Sequence, residues 1–380
     1  MQLIWCEWIW MRGRIMKKPQ GLSNFQITAV VTQSIIGLIM LGIARRAARM
    51  AGIDGVFVTL ITGVLSAAVA AVMILLGNRF PNQTVIEFSQ EILGKFLGRL
   101  FGAFFVFYTM LVTAVTVRGF ADALIMLLLP KTPIEFVMIT MLILCSYCVA
   151  GGISSVARIN EIFLPPVIIV ISLVILMNIG DVDLFRYRAV FSNGIKPILS
   201  GIAEISTAYL GYEILFFLSP VVKNKDKMMP YGLAGIAIPL VLYSGLVFVS
   251  IGIDGASATA DIIYPTIQLA RRISLFGSAV EKFDILFILL WILSIFTTII
   301  TFLYMASISV TRLAGLRNYK PFIFMLIPLI YMIAILPANI VDINTVVTLS
   351  DYIGTAVVLS CIPMLLLSIL RKKGGKKNGS

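Results

Sequence analysis

The sequence predicts an all-α integral membrane protein with ten transmembrane helices. Of its 380 residues, 59% are hydrophobic and 13% charged, about half the charged share of an ordinary soluble domain. Mean hydropathy is +1.02. So little polar surface cannot cover a water-facing globule of this size. Ten stretches approach or exceed the ~20 mainly apolar residues that a helix needs to cross a bilayer. No long polar segment separates them, so residues 25–370 read as one transmembrane domain, between a tail of residues 1–24 and a basic tail of residues 371–380.

In chain order the candidate spans are Phe25–Ala44, Phe57–Leu76, Phe101–Leu129, Ile134–Gly151, Phe163–Ile179, Ile198–Val222, Tyr231–Ile253, Phe283–Val310, Phe322–Leu336 and Val346–Leu370. The third and eighth exceed a membrane thickness and must tilt or protrude. The fourth and ninth are short. Two connections, Asn78–Leu100 and Ser257–Lys282, mix apolar and charged positions and read as surface helices packed on the bundle. The first carries Phe88, Ile92, Leu93 and Phe96 among Glu87, Glu91 and Lys95. The second carries Ile262, Ile263, Ile267, Leu269 and Ile273 among Asp261, Arg271 and Arg272.

Inner-side loops of membrane proteins collect Lys and Arg. With ten spans both termini share a side, which holds 19 of these residues against 10 opposite; both ends are therefore placed in the cytoplasm. The Arg45–Arg49 cluster runs against this. The same distribution accounts for the net charge of +12 without a nucleic-acid partner. In Met1–Met11 the apolar residues precede the basic ones, the reverse of a signal peptide. Met16, before Lys17 and Lys18, is read as the native start, and residues 1–15 as a non-native extension.

There is no histidine, which removes Ser-His and Cys-His pairs, His-ligated zinc and imidazole proton transfer. No nucleophile–base pair, phosphate loop or metal cluster is visible, so neither an enzyme nor a cofactor is expected. Cys145 and Cys148 form a lone CxxC in an apolar run and read as ordinary thiols.

Interruptions of the apolar pattern are the functional candidates. Transporters that rock around a central site use discontinuous helices at matching positions of two inverted repeats. Five plus five pairs the first span with the sixth. The first reads Thr32-Gln33-Ser34-Ile35-Ile36-Gly37, with Gly42 beyond; the sixth reads Ser206-Thr207-Ala208-Tyr209-Leu210-Gly211-Tyr212-Glu213. These glycines either break the helices at a binding site or only let helices approach closely. Ionisable groups inside a membrane are costly and are functional candidates by default. Arg118 and Asp122, four apart, share a helix face as an ion pair that locks the third span or gates it. Glu213 has no local partner; proton coupling, contact with a ligand amine and a pair with Arg118 all stay open. Ser294, Thr297, Thr298 and Thr301 either coordinate a cation or ligand or bond back to their own helix. Tyr108, Phe302 and Tyr304 line a pocket or pack. The fifth span holds Pro165-Pro166 and no lysine.

In order and spacing these pieces resemble the B-subunits of endospore germinant receptors, the GerAB/GerKB-type spore germination permeases of the amino acid–polyamine–organocation superfamily. The likeness runs from about Lys17 to Lys372. It is carried by Ile36-Gly37 with Asp54-Gly55, Arg118-Gly-Phe-Ala-Asp122, Leu129-Pro-Lys-Thr-Pro-Ile134 and Gly151-Gly-Ile-Ser-Ser-Val-Ala-Arg158. Leu210-Gly211-Tyr212-Glu213, Trp291-Ile-Leu-Ser-Ile-Phe-Thr-Thr298 and Ser350-Asp-Tyr-Ile-Gly354 complete it. The resemblance implies a LeuT-like five-plus-five inverted repeat with broken helices 1 and 6. It also implies a nutrient sensor, usually for an amino acid, acting with a larger A-subunit and a lipoprotein C-subunit in the inner membrane of the endospore. Carried over by position, the ligand pocket falls at Gly37, Tyr108, Val112, Leu210, Gly211, Thr298 and Phe302, with Arg118, Asp122 and Glu213 as coupling or gating residues. Ile39 stands where many superfamily members carry a second glycine, and Phe302 where a hydroxyl-bearing aromatic can stand. The rival reading is a proton- or cation-coupled amino-acid permease.

Overall fold

The computed structural model describes residues 21–188, 190–192, 194–275, 283–337 and 340–374. The suggested start at Met16, Cys6, Lys282 and the basic residues up to Lys18 and from Lys376 onward lie outside the described residues. Helix makes up most of each apolar stretch, with breaks in the first and sixth, and the extended pairing among the described residues is one isolated parallel bridge, Leu22 with Val222.

Helix α1 (Asn24–Ile35) starts on a capping box: Ser23 Oγ accepts from Gln26 N, and Gln26 Oε1 accepts from Ser23 N. Every residue from Ile27 to Ile35 is buried, so beyond its exposed first turn α1 has no polar face, because no side of that part meets water or lipid. Its helix stops before Gly37. A 3-10 turn (Leu38–Leu41) follows, then α2 (Ile43–Ala51). The chain next reverses at Gly52–Asp54 into α3 (Gly55–Arg79). An ideal Cβ on Gly55 would lie 2.9 Å from the Ala47 carbonyl, whereas eight residues of straight helix span about 12 Å. Gly52, at φ +59, supplies the left-handed turn.

After α4 (Val85–Leu93) come α5 (Lys95–Leu127), α6 (Ile134–Ala150) and α7 (Ile153–Asn178). The matching half opens with α8 (Ile195–Ser206), which gives way to two 3-10 turns around Gly211 and the short α9 (Leu215–Leu218), bent by 55° across the break. Then follow α10 (Met228–Asp254), α11 (Ala256–Asp261), α12 (Pro265–Leu275), α13 (Phe283–Leu313), α14 (Lys320–Ile335), α15 (Ile340–Leu359) and α16 (Cys361–Leu370). Among the described residues, six helical runs are long and apolar enough to cross a membrane alone, and a seventh is the bent α8–α9 pair; α6 and α14 are shorter apolar helices. Helix α1 packs against α7, α10 and α13; α13 also lies along α5, and α10 along α3. Helix α1 also touches the 3-10 turn Tyr212–Ile214, so the two broken segments meet inside the bundle.

Several boundaries differ from the sequence reading. Asn78–Leu100 is not one surface helix. Its middle is α4, started by a capping box of Thr84 and Glu87, with Phe88 and Ile92 buried; its end is the first turn of α5, where Phe96 is 80% exposed. Glycine at 94, at φ +93, makes the corner between them. Helix α7 begins ten residues before Phe163 and so takes in Arg158 and Glu161; Glu161 accepts from Gln26 Nε2 at 2.7 Å. Ser257–Lys282 contains α11 and α12. Ile267, Leu269 and Ile273 are buried as expected, while Ile263 is exposed.

Candidate functional site at the two helix breaks

Breaking a helix frees carbonyls and N–H groups, and inside a membrane each needs a protein partner. At the first break the partners come from distant helices. Ile35 O accepts from Gly37 N at 2.8 Å and from Tyr243 Oη at 2.9 Å. Ile36 O accepts from Ser294 Oγ, and Gln33 O accepts from Thr298 Oγ1 at 2.8 Å. Thr32 Oγ1 donates to Gly235 O at 2.9 Å. Gly37 lies directly on Thr298: a Cβ there would sit 2.9 Å from Thr298 Oγ1.

The second break rests on the first. Ser34 Oγ donates to Gly211 O at 2.9 Å. Gly211 has φ +129, and a Cβ on it would be 2.3 Å from Ser34 O, so only glycine fits. Its N–H donates to Glu213 Oε2 at 2.7 Å, and Tyr108 Oη donates to Glu213 Oε1 at 2.5 Å. Tyr108 and Glu213 are fully buried. The Phe302 ring stands edge-on to Tyr108, centroids 6.4 Å apart. Gly354 lets α15 approach this group, since a Cβ there would meet Leu210 Cδ1 at 2.7 Å and Tyr108 Oη at 2.8 Å.

Gly37 and Thr298 thus touch at the first break, while Tyr108, Leu210, Gly211, Glu213 and Phe302 gather at the second. Val112 is half-buried one turn along α5 from Tyr108. The open alternatives divide. Glu213 bonds Tyr108 and Gly211, not Arg118. Arg118 Nε donates to both Asp122 oxygens at 3.2 Å, and Arg118 Nη1 to Ala334 O of α14 at 3.2 Å. Ser294 and Thr298 cross to α1, whereas Thr297 and Thr301 bond back to their own helix. Tyr304 packs on Tyr319, centroids 5.9 Å apart.

Sequence reasoning assigned no role to Gln33, Ser34, Tyr243, Gly354, Arg46 or Asp351. Gln33 and Ser34 stood in the polar interruption of the first span, and Asp351 and Gly354 in one motif; Tyr243 carried no signal. Arg46 Nη1 reaches Thr207 Oγ1 at 3.1 Å and Asp351 Oδ2 at 3.4 Å, tying α2 and α15 to the start of the second break.

A solved structure with this architecture is MhsT in complex with L-phenylalanine: TM-score 0.66 at 14% identity, covering 93% of this chain and 90% of that one. It shares the LeuT-like fold. Among curated proteins, Spore germination protein A2 of Bacillus subtilis is 27% identical over 93% of this chain and 97% of its own length. YndE of the same organism is 28% identical over 85% and 89%, and GerLB of Bacillus cereus 25% over 95% and 98%. The sequence profile described as "Spore germination protein" matches residues 21–343. Both breaks and all the residues gathered at them up to Phe302 fall within that match, and the chain belongs to the spore germination protein family, carried on a LeuT-like, all-helical fold.

Proposed function

We propose that the chain is the nutrient-sensing B-subunit of a germinant receptor in the inner membrane of the endospore, with both termini in the cytoplasm and with a larger A-subunit and a lipoprotein C-subunit as partners. The observation that supports this is the contact of the two helix breaks through Ser34 and Gly211, walled by the buried Tyr108, Glu213, Phe302 and Thr298. The ligand is a small nutrient, an amino acid, seated where Gly37, Tyr108, Val112, Leu210, Gly211, Thr298 and Phe302 converge. Glu213 and the hydroxyls of α13 suit its amine. Binding favours one of two bundle arrangements and so biases the partner subunits. The bound L-phenylalanine of the MhsT complex supports an amino acid as the ligand class.

Binding to the folded protein raises its melting temperature by mass action. The protein purified in detergent is therefore expected to melt higher with one or a few members of a panel of L-amino acids. It is expected not to accumulate them in proteoliposomes. A flat panel overturns the amino-acid reading. Concentrative uptake by the isolated chain favours the permease, the reading that the shared fold with MhsT keeps in play.

A further inference from the structure

We infer that the strap Arg371–Gly374, which follows the last helix, is a latch on the corner between α3 and α4 that opens when ligand seats at the breaks; this rests on the ligand site proposed above. Helix α16 ends in a Schellman motif: Lys373 N donates to Ser368 O at 2.9 Å and Lys372 N to Ile369 O at 3.1 Å. The left-handed position of that motif usually holds glycine. Here it holds Lys372, at φ +50, a conformation that persists only where the surroundings hold it. What holds it is an exchange of cations. Arg79 Nη2, from the last residue of α3, reaches Ser368 O at 3.3 Å, Lys373 O at 3.1 Å and Gly374 O at 3.2 Å. In return Arg371 Nη1 donates to Ile92 O and Lys373 Nζ to Glu91 O, in the last turn of α4. The electronegative C-terminal ends of α16 and α4 are thus each capped by a cation from across the contact. Gly374 lies flat on the corner: a Cβ there would be 2.7 Å from Phe80 Cζ and 2.9 Å from Arg79 O.

The strap is the far end of a helix that borders the site. Thr345–Leu370 is one helical run. Across the joint of α15 and α16, Ser360 N donates to Ala356 O at 3.0 Å and Met364 N to Ser360 O at 3.1 Å. Gly354, in the same run, packs on Leu210 and Tyr108 so closely that a methyl group does not fit. A ligand seated against Leu210 and Tyr108 has to part these contacts, and α15 moves. At 1.5 Å per residue, Gly354 and Leu370 lie about 24 Å apart along the run, and the movement at one end is delivered at the other. The three contacts of Arg79 already stand at 3.1–3.3 Å, so a shift of about 1 Å takes them beyond hydrogen-bond reach. The structure shows the latch shut.

Limited trypsin digestion of the full chain in detergent, read by mass spectrometry at the bonds after Arg371, Lys372 and Lys373, reports on the strap. The ligand used is the L-amino acid that raises the melting temperature of the wild type. It is expected to speed cleavage at these bonds at least about fivefold, because proteolysis follows the population of the open form. Arg79→Gln removes the cap on α16 without altering a cleavage site in the strap, and is expected to give the fast rate with no ligand added. Coupling between two sites is reciprocal, so Arg79→Gln is also expected to bind the amino acid at least about fivefold more tightly. Arg371→Gln with Lys373→Gln, which removes the caps on α4 instead, is expected to tighten binding likewise. Cleavage in the wild type that ignores the ligand overturns the latch, and so does unchanged affinity in both variants; either result leaves the amino-acid reading intact. Weaker binding in both variants places the strap in the architecture and overturns it too. A wild type that answers no amino acid removes both readings together.

Discussion

Two glycines of the breaks do their work by different means, which makes them separable by mutation. At Gly37 the obstacle to a side chain is another side chain: an added methyl meets Thr298 Oγ1 at 2.9 Å but Thr298 Cβ only at 3.4 Å. At Gly211 the obstacle is backbone, Ser34 O at 2.3 Å, and φ is +129. Gly37→Ala alone is expected to lower the melting temperature, and Thr298→Ala in the same chain to recover most of the loss. Gly211→Ala, which strains the backbone by an additional 1–3 kcal/mol or so, is expected to stay defective in a Ser34→Ala background. Melting curves of the two single and two double variants decide this, and rescue of Gly211→Ala by Ser34→Ala contradicts the geometry. The sequence held both glycines as candidates. It held no means of telling them apart, because the atoms they touch belong to residues 177 and 261 positions away in the chain.

Helices were legible where composition alone decides them, and blurred where a local hydrogen bond does. The apolar runs of α3, α10 and α13 appear close to where hydropathy puts them. The ends of α4 and α7 depend on the Thr84–Glu87 capping box and on a glycine at 152 with φ +87, which a hydropathy window averages away. Helix α5 shows the reverse case: the spacing of Arg118 and Asp122 foretold their pairing, while the third partner, Ala334 O, was invisible because it lies 216 residues on. Removing one member of a partly buried pair leaves the other charge uncompensated, whereas removing both can be close to neutral. Arg118→Met and Asp122→Leu are each expected to destabilise the protein, and the double variant to melt closer to wild type than either. Arg118→Met is expected to be the worse single, since it also releases α14. Thermal melts in detergent check the order; an additive double variant rejects the coupling.

At the scale of the molecule, the sequence carried the order of the apolar segments and the pairing of interruptions in the first and sixth. It could not carry the ties that hold the halves together. Arg46 and Asp351 are 305 residues apart and meet at 3.4 Å, each about a quarter exposed. Reversing either charge places like charges face to face and is expected to cost on the order of 1 kcal/mol; the exchange Arg46→Asp with Asp351→Arg is expected to restore part of the loss in melting temperature. The exchanged protein melting no higher than the singles removes this tie from the assembly. The first break has a further consequence for biosynthesis. The partners of Gln33 O, Ile35 O and Ile36 O are supplied by Thr298, Tyr243 and Ser294. A ribosome adding roughly 5–20 residues per second delivers the last of them roughly 10–50 s after Ile36. Until then the nascent protein holds a helix with an unfinished end in the bilayer, so its insertion machinery must shelter the first two segments until α13 is made.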